Sequence, residues 1–278
     1  MRIAIFSVLL LLSFITNAKP TQLDVKDIYD FIQKHSASKE KKVYPRAPYP
    51  KSTITRSNNN LLQLDYDGFT IWLDCEKKGA VKFRYIAQRD TGKLKRHKSF
   101  HQDTDIPNEC QQLSYKGYGK KYDRGHLVPA NHLDHSKTAI QQSNFMTNIL
   151  PQASNMNRGA WLMTEEITEC YRDIDELLII GGVIWGNKSD DDYFVKSHGV
   201  KTPNAYWKVI IRGMGQDERA IAWIIPNSQE AKRKKLDKYL VTVDEVERVT
   251  GETIPIADYA KRDKPRHSWI IPRGCNKG

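Results

Sequence analysis

The chain has 278 residues, 39% of them hydrophobic, and its 44 lysines and arginines outweigh 33 aspartates and glutamates for a formal charge of +11. Beyond the N-terminal segment no stretch approaches the roughly 20 consecutive apolar residues of a membrane-spanning helix, which excludes a bundle of such helices. The charge favours capture of polyanions at low salt, but many lysine-rich proteins never touch nucleic acid, so charge alone assigns no partner.

Met1-Arg2, the apolar run from Ile3 to Ile15 and Thr16-Asn17-Ala18 read as a signal peptide over residues 1–18, with an uncleaved anchor as the weaker alternative. The mature chain would begin near Lys19, carry +10 once Arg2 is lost, and be secreted or periplasmic, with no membrane attachment after cleavage. Its 260 residues suffice for one large domain, with roughly three quarters of the unfolded surface buried. Leu23 to His35 places Val25, Ile28, Tyr29 and Ile32 at helical spacing and predicts a short helix. Ser36 to Lys51, rich in lysine and proline, reads as an exposed linker, and Asn58-Asn59-Asn60 as a further polar stretch. Residues 19–60 are therefore an extension to a main domain at 61–278.

Phe69 to Asp74 and Val81 to Ile86, split by Lys78-Gly79, predict a hairpin. Leu177 to Trp185, Trp207 to Ile211 and Ala220 to Ile225 read as buried strands. Thr242 to Glu245 fits a capping box and Gly251 a stop, so a helix is expected over 243–250. Lys232-Arg233-Lys234-Lys235 is read first as a solvated face and only second as a contact for substrate phosphates. Asn187-Lys188-Ser189 matches a glycosylation sequon, relevant only in a eukaryotic host. Cys75, Cys110, Cys170 and Cys275 suggest two disulfides in an exported chain, with three connectivities open. A zinc site is disfavoured because no C-x-x-C pair occurs.

Chemistry concentrates in residues 123–165, which run from Asp123-Arg124-Gly125-His126 through Asn148 and Pro151-Gln152 to Asn157, Trp161 and Glu165. A phosphodiester is anionic and repels hydroxide, so its hydrolysis needs an activated water and positive charge beside the phosphoryl oxygens. Histidine is the base suited to neutral pH, and an arginine with a divalent cation can supply the charge. Magnesium favours oxygen ligands and keeps several waters, so one amide oxygen from Asn157 plus water held by Glu165 makes a plausible sparse site. Residues 157, 161 and 165 follow i, i+4, i+8 and drift slowly around one helix face, with Trp161 packed beneath it. Each part alone is weak: an isolated histidine is more often a satisfied structural residue. Their conjunction in order within one short block is what points to function. His132 and His135, close behind the motif, are taken as loop or surface histidines rather than ligands.

The segments Asp123 to Ala130, Phe145 to Gln152, and Asn157 to Trp161 with Glu165 closely resemble the DNA/RNA non-specific endonucleases, the ββα-metal nucleases. Pro203 to Ile210 and Val241 to Gly251 resemble later segments of the same family, so the likeness covers roughly residues 65 to 260. The resemblance implies an α+β fold in which a central antiparallel sheet is flanked by helices. A ββα-metal element from about residue 121 to 172 would hold the site, and 61–278 would be the nuclease domain. It implies endonucleolytic hydrolysis of DNA and RNA, recognised through the phosphate backbone with little sequence or sugar preference, leaving 5′-phosphates. The implied cofactor is Mg2+, with Mn2+ as a substitute. The implied roles are His126 as general base, Asn157 as the one direct protein ligand of the metal, and Glu165 acting on the ion through water. Asn148 would support the site and Arg124 would arrange the phosphate. A second family arginine lies upstream; Arg96 is the better match and Arg89 its rival. The reading from another class is a catalytically inactive nucleic-acid-binding protein of the surface or periplasm, against which the intact His126, Asn157 and Glu165 argue.

Overall fold

A computed structural model describes residues 53–56, 61–96, 98–119, 121–186 and 193–277. The expected signal peptide, the helix at Leu23–His35, the linker at Ser36–Lys51, Asn58–Asn60 and the Asn187 sequon lie outside these residues.

Four strands, β1 (Thr53–Arg56), β2 (Leu61–Tyr66), β3 (Phe69–Asp74) and β4 (Gly79–Ala87), form an antiparallel meander. The chain then leaves the sheet to build a separate two-stranded hairpin, β5 (Tyr122–His126) with β6 (Ile149–Ala153). It returns as β7 (Leu177–Trp185), β8 (Pro203–Arg212), β9 (Arg219–Pro226) and β10 (Leu240–Val241). Among the described residues these complete an eight-stranded sheet in the order β1-β2-β3-β4-β7-β8-β9-β10, antiparallel throughout.

The period of two along each strand sorts side chains onto two faces. Tyr206 and Ile210 of β8, with Ile221, Trp223 and Ile225 of β9, enter the larger core, which also takes Leu64, Ile71 and Phe83 from the meander. Trp207, Val209 and Ile211, with Ala220 and Ala222, enter a smaller core on the other side. Over the larger core lie the β5–β6 hairpin and a helical run, which contribute Leu127, Ile149, Met156, Trp161 and Ile167. Within the hairpin connection α1 (Lys137–Ser143) is capped by the Ser136 hydroxyl. The helical run consists of α2 (Ser154–Met156), a π-helical turn (Asn157–Trp161) and α3 (Leu162–Arg172). This is the expected ββα element. Trp161 is fully buried there, and removing on the order of 200 Å² of indole from water is worth about 5 kcal/mol before entropy.

Further along, α4 (Tyr193–His198) lays Phe194 against Tyr118, ring centroids 4.8 Å apart. The smaller core is closed by α5 (Val243–Thr250), which buries Val243 and Val246. Its ends are those the sequence predicts. The Thr242 hydroxyl accepts from the Glu245 amide at 3.0 Å, and Gly251 is left-handed at φ 74°, where a side chain would be strained. The two later strands run past their apolar segments, to Pro203–Arg212 and Arg219–Pro226. Backbone pairing, down to Arg212 opposite Arg219, sets their ends rather than hydrophobicity.

Two disulfides select one of the three connectivities, Cys75–Cys110 and Cys170–Cys275, which close segments of 35 and 105 residues. The second ties the C-terminal segment to α3. Among the described residues no helix is long and apolar enough to cross a membrane.

Candidate active site

The helical run that follows β6 is not a plain α-helix. The amide of Leu162 reaches the carbonyl of Asn157, five residues back, so one residue more than usual fits into this turn. The consequence is angular. On an α-helix, eight residues at about 100° each would leave Asn157 and Glu165 roughly 80° apart. A π-turn at roughly 4.4 residues per turn, followed by α-turns, brings that difference to about 10°. The slow drift expected from the spacing is thus almost removed, and the amide and carboxylate share one face. Gly159 makes the turn compatible with its neighbours. A Cβ there would lie 2.9 Å from the Arg233 backbone nitrogen, and the Ala160 amide donates to the Ala231 carbonyl at 3.2 Å.

Asn157 Nδ2 donates to Asp123 Oδ2 at 3.0 Å. That bond fixes the amide, and Asn157 Oδ1 accepts no hydrogen bond among the described residues. The same aspartate, in the first position of the motif, takes the Arg158 guanidinium through Nε at 2.9 Å and Nη2 at 2.8 Å, and the Ser154 hydroxyl at 3.1 Å. Burial pushes its carboxyl up, but the hydrogen bonds from Arg158, Asn157 and Ser154 outweigh it and hold it below the usual range.

His126 ends β5 and is buried. Its Nε2 lies 2.8 Å from Asn144 Oδ1, and its Nδ1 lies 3.2 Å from Arg96 Nη2. Asn144 Nδ2 donates to the Ser99 carbonyl at 3.1 Å, which turns Oδ1 toward the ring. A guanidinium only donates, so Nδ1 carries the lone pair and Nε2 the proton. Burial, then the charge of Arg96, push this imidazole down to about 3, against the bond from Asn144 and with a smaller push from Arg124. The ring is therefore neutral at physiological pH, as a base must be. The indole of Trp161 donates to the His126 carbonyl at 3.1 Å and links the strand to the helix.

Arg124 donates to the Tyr115 carbonyl at 2.9 Å and stands over the Phe100 ring at 4.0 Å. Phe100 in turn packs on His126, centroids 5.5 Å apart. Of the two upstream arginines, Arg96 meets the histidine, whereas Arg89 donates to the Asp173 carbonyl at 2.9 Å. Asn148 is fully buried and makes only backbone contacts: it donates to Val128 O at 2.9 Å and Ser143 O at 2.8 Å, and accepts from Val128 N at 3.0 Å. It holds the chain that leaves β5 rather than contacting His126 or Asn157.

Glu165 is half-buried on α3. Burial raises its carboxyl, opposed by the charges of Lys208 and Arg96 and by Trp161. Lys208, from β8, is fully buried; its ammonium lies 3.8 Å over the Trp161 ring and donates to the Thr164 hydroxyl at 2.8 Å. Burial brings it down to about 8 despite the nearby Glu165.

His132 lies in a short turn of the connection after β5, a loop position as expected, but it is not at the surface. It is buried, with Nδ1 2.8 Å from the Tyr85 hydroxyl and Nε2 3.1 Å from Glu169 Oε2. The carboxylate is bound by Arg172 from its other side, so the cluster braces α3. His135 is exposed, as expected.

The family model for the DNA/RNA non-specific endonucleases matches residues 50–263. The chain belongs to that family. Among curated relatives of this endonuclease-family chain, Nuclease C1 of Cunninghamella echinulata var. echinulata is 27% identical over 56% of the chain and 66% of its own length. A nuclease of Nostoc is 30% identical over 58% of the chain and 60% of its length. The mitochondrial endonuclease G of Bos taurus is 24% identical, over 55% and 54% respectively. The chain thus spans about half to two thirds of the length of these relatives. In the crystal structure of an EndoG/EndoGI complex, a chain superposes with a TM-score of 0.55 at 16% identity, covering 74% of this chain and 86% of that one. This neighbour supports the α+β fold.

Three residues near the site were not singled out from the sequence. Asn144 is one of many asparagines, four positions before the one the family pattern points to. Phe100 lies in the irregular segment after Arg96, where no pattern marks it. Lys208 alternates in phase with the core-facing Tyr206 and Ile210, and that alternation was the available signal: a lysine at an inward position of a buried strand needs a partner inside.

Proposed function

We propose that the chain is an exported, metal-dependent endonuclease that hydrolyses internal phosphodiester bonds of DNA and RNA. Its products would carry 5′-phosphates. The observation that carries this reading is the His126 ring, held neutral with Nδ1 as its acceptor, beside Arg96. Nδ1 takes the proton of a water, and the resulting hydroxide attacks phosphorus as the 3′-oxygen leaves. Arg96 and Arg124 hold the anionic oxygens.

The donor set fits a divalent cation sparsely bound. Asn157 offers an oriented, unoccupied amide oxygen, and Glu165 lies in phase with it, half-buried. Among the described residues no group of three or more His, Cys, Asp or Glu could hold an ion. As the family resemblance implies, Asn157 would be the one direct ligand and Glu165 would act through water, which suits magnesium, or manganese in its place. When bound, the ion neutralises charge that grows on the phosphoryl and leaving oxygens. Asn148 and Asn144 keep the base in place.

Export is supported by the N-terminal apolar run and by two disulfides, which persist in oxidising compartments. Some relatives are named as mitochondrial, and fractionation of the producing cell distinguishes the two destinations. The activity is tested by incubating the protein with plasmid and total RNA, with and without EDTA. Degradation of both that EDTA abolishes, and that His126→Ala lowers by about 10²–10⁴, supports the proposal. A gel shift without cutting would make the chain a binding protein instead.

A further inference from the structure

Arg96 holds an unusual position for a residue that is to bind substrate. It lies on an irregular segment between β4 and β5 and is itself exposed. The segment is pinned on either side of it. The Leu94 amide donates to the Asp134 carbonyl at 3.3 Å, and Ser99 O accepts from Asn144 Nδ2 at 3.1 Å. Between those anchors the guanidinium turns inward to His126 Nδ1, the atom that must accept the proton of the attacking water. Its charge is also felt at Glu165. One exposed cation thus touches the base and acts on the carboxylate.

We propose that Arg96 is a displaceable cap on the base: without substrate its guanidinium occupies the Nδ1 lone pair of His126, and an incoming phosphodiester draws it away. The inference rests on the phosphodiesterase reading above and deepens it. The driving force is a change of partner. A guanidinium on a neutral imidazole makes one hydrogen bond at 3.2 Å. On a phosphate it makes two charge-assisted bonds, each roughly twice as strong as a neutral one. The residue that recognises the anion is then the residue that masks the base, so proton abstraction follows occupancy. Asn144 couples the two, because one amide holds the imidazole through Oδ1 and the Arg96 segment through Nδ2. The other groups around the ring do not compete for Nδ1. Asn144 takes Nε2, Phe100 packs on the ring, Trp161 takes the backbone carbonyl, and Arg124 donates to Tyr115.

The test is nitrogen-15 NMR of the histidine rings in the full-length protein, titrated against pH. Wild type, Arg96→Ala and Arg96→Lys are compared, free and with a short single-stranded DNA oligonucleotide in EDTA, which prevents cutting. In the free protein Arg96→Ala should shift the Nδ1 resonance and raise the His126 pKa by roughly 1–3 pH units. Arg96→Lys, which keeps the charge but not the planar fork, should fall between. Adding the oligonucleotide to wild type should move His126 in the same direction as Arg96→Ala does. The cap is overturned if Arg96→Ala leaves the resonance and titration of His126 where wild type has them. Displacement is overturned if the oligonucleotide binds, as read by anisotropy, without moving the Nδ1 resonance. An oligonucleotide that does not bind sinks both displacement and the nuclease reading, while the Arg96→Ala comparison still judges the cap.

Discussion

Asn144 fixes which nitrogen of His126 can act as base, and its replacement gives the sharpest test of the site. Asn144→Ala removes a 2.8 Å bond and leaves a buried Nε2–H without an acceptor. Orphaning a buried donor costs about 1–3 kcal/mol. If that energy is what holds the ring in its competent tautomer and orientation, kcat/KM falls about 5- to 150-fold. That loss lies below the one expected for deleting the imidazole. Asn144→Asp acts differently. It keeps an acceptor at Nε2–H and adds negative charge, which favours the protonated ring. A charge-assisted bond of about 1.5–3 kcal/mol corresponds to a rise of about 1–2 pH units in the His126 pKa. The sign follows from the role. A base works only when unprotonated, so the acid limb of kcat/KM in the free enzyme lies at the imidazole pKa, low in wild type because burial and Arg96 depress it. Asn144→Asp should therefore lose activity at mildly acidic pH while approaching its own plateau near neutrality. The assay is the pH profile of kcat/KM on plasmid DNA at saturating magnesium for all three proteins. An acid limb that Asn144→Asp leaves unmoved, together with an undiminished plateau in Asn144→Ala, would refute the assignment of both the tautomer and the base.

The metal reading predicts that Asn157→Ala abolishes magnesium binding in a calorimetric titration. Asn157→Asp should retain the ion yet cut poorly because of added charge, and Glu165→Gln should be milder than either; wild-type magnesium dependence in Asn157→Ala would move the ligand elsewhere. Opening the disulfides should lower the melting temperature. On chain entropy alone, loops of 35 and 105 residues correspond to about 4 and about 5 kcal/mol, and an unchanged transition under reductant would mean that the bridges are not formed in solution. Arg233 is bound to Glu166 and Lys235 to Glu230, so any phosphate contact by the basic run falls to the exposed Lys232 and Lys234. Replacing both with alanine should reduce the salt slope of DNA binding by about 1.8 if each neutralises one phosphate, whereas the same slope as wild type would leave the run as a solvated face.

The strands and α5 were legible because their signals are local. Short, nearly continuous apolar runs mark β7 to β9, and a capping threonine and a stop glycine mark α5 to the residue. The ββα element was legible through its motif rather than through hydrophobicity, since β5 is Tyr-Asp-Arg-Gly-His and has little apolar pattern. The choice between Arg96 and Arg89 was not legible, because it depends on how an irregular segment is pinned to Asp134 and Asn144. His132 was misjudged for a related reason. Its partners, Tyr85 and Glu169, lie 47 and 37 positions away in sequence, and nothing beside His132 announces that a sheet residue and a helix residue will close over it. The disulfide pairing is likewise a matter of distance in space that composition does not contain.

The π-turn has a consequence for how this protein can change. Two side chains that share a face of a regular helix are seven residues apart; here they are eight, so the surplus residue is written into the spacing of Asn157 and Glu165. Redesign that made the helix regular at unchanged length would raise local propensity and return the two groups to roughly 80° apart; Gly159 resists it, since a Cβ there would meet the Arg233 backbone. Stability and activity are therefore set against each other at this turn. A chain that keeps the eight-residue spacing together with its chemistry must therefore keep a less favourable helix.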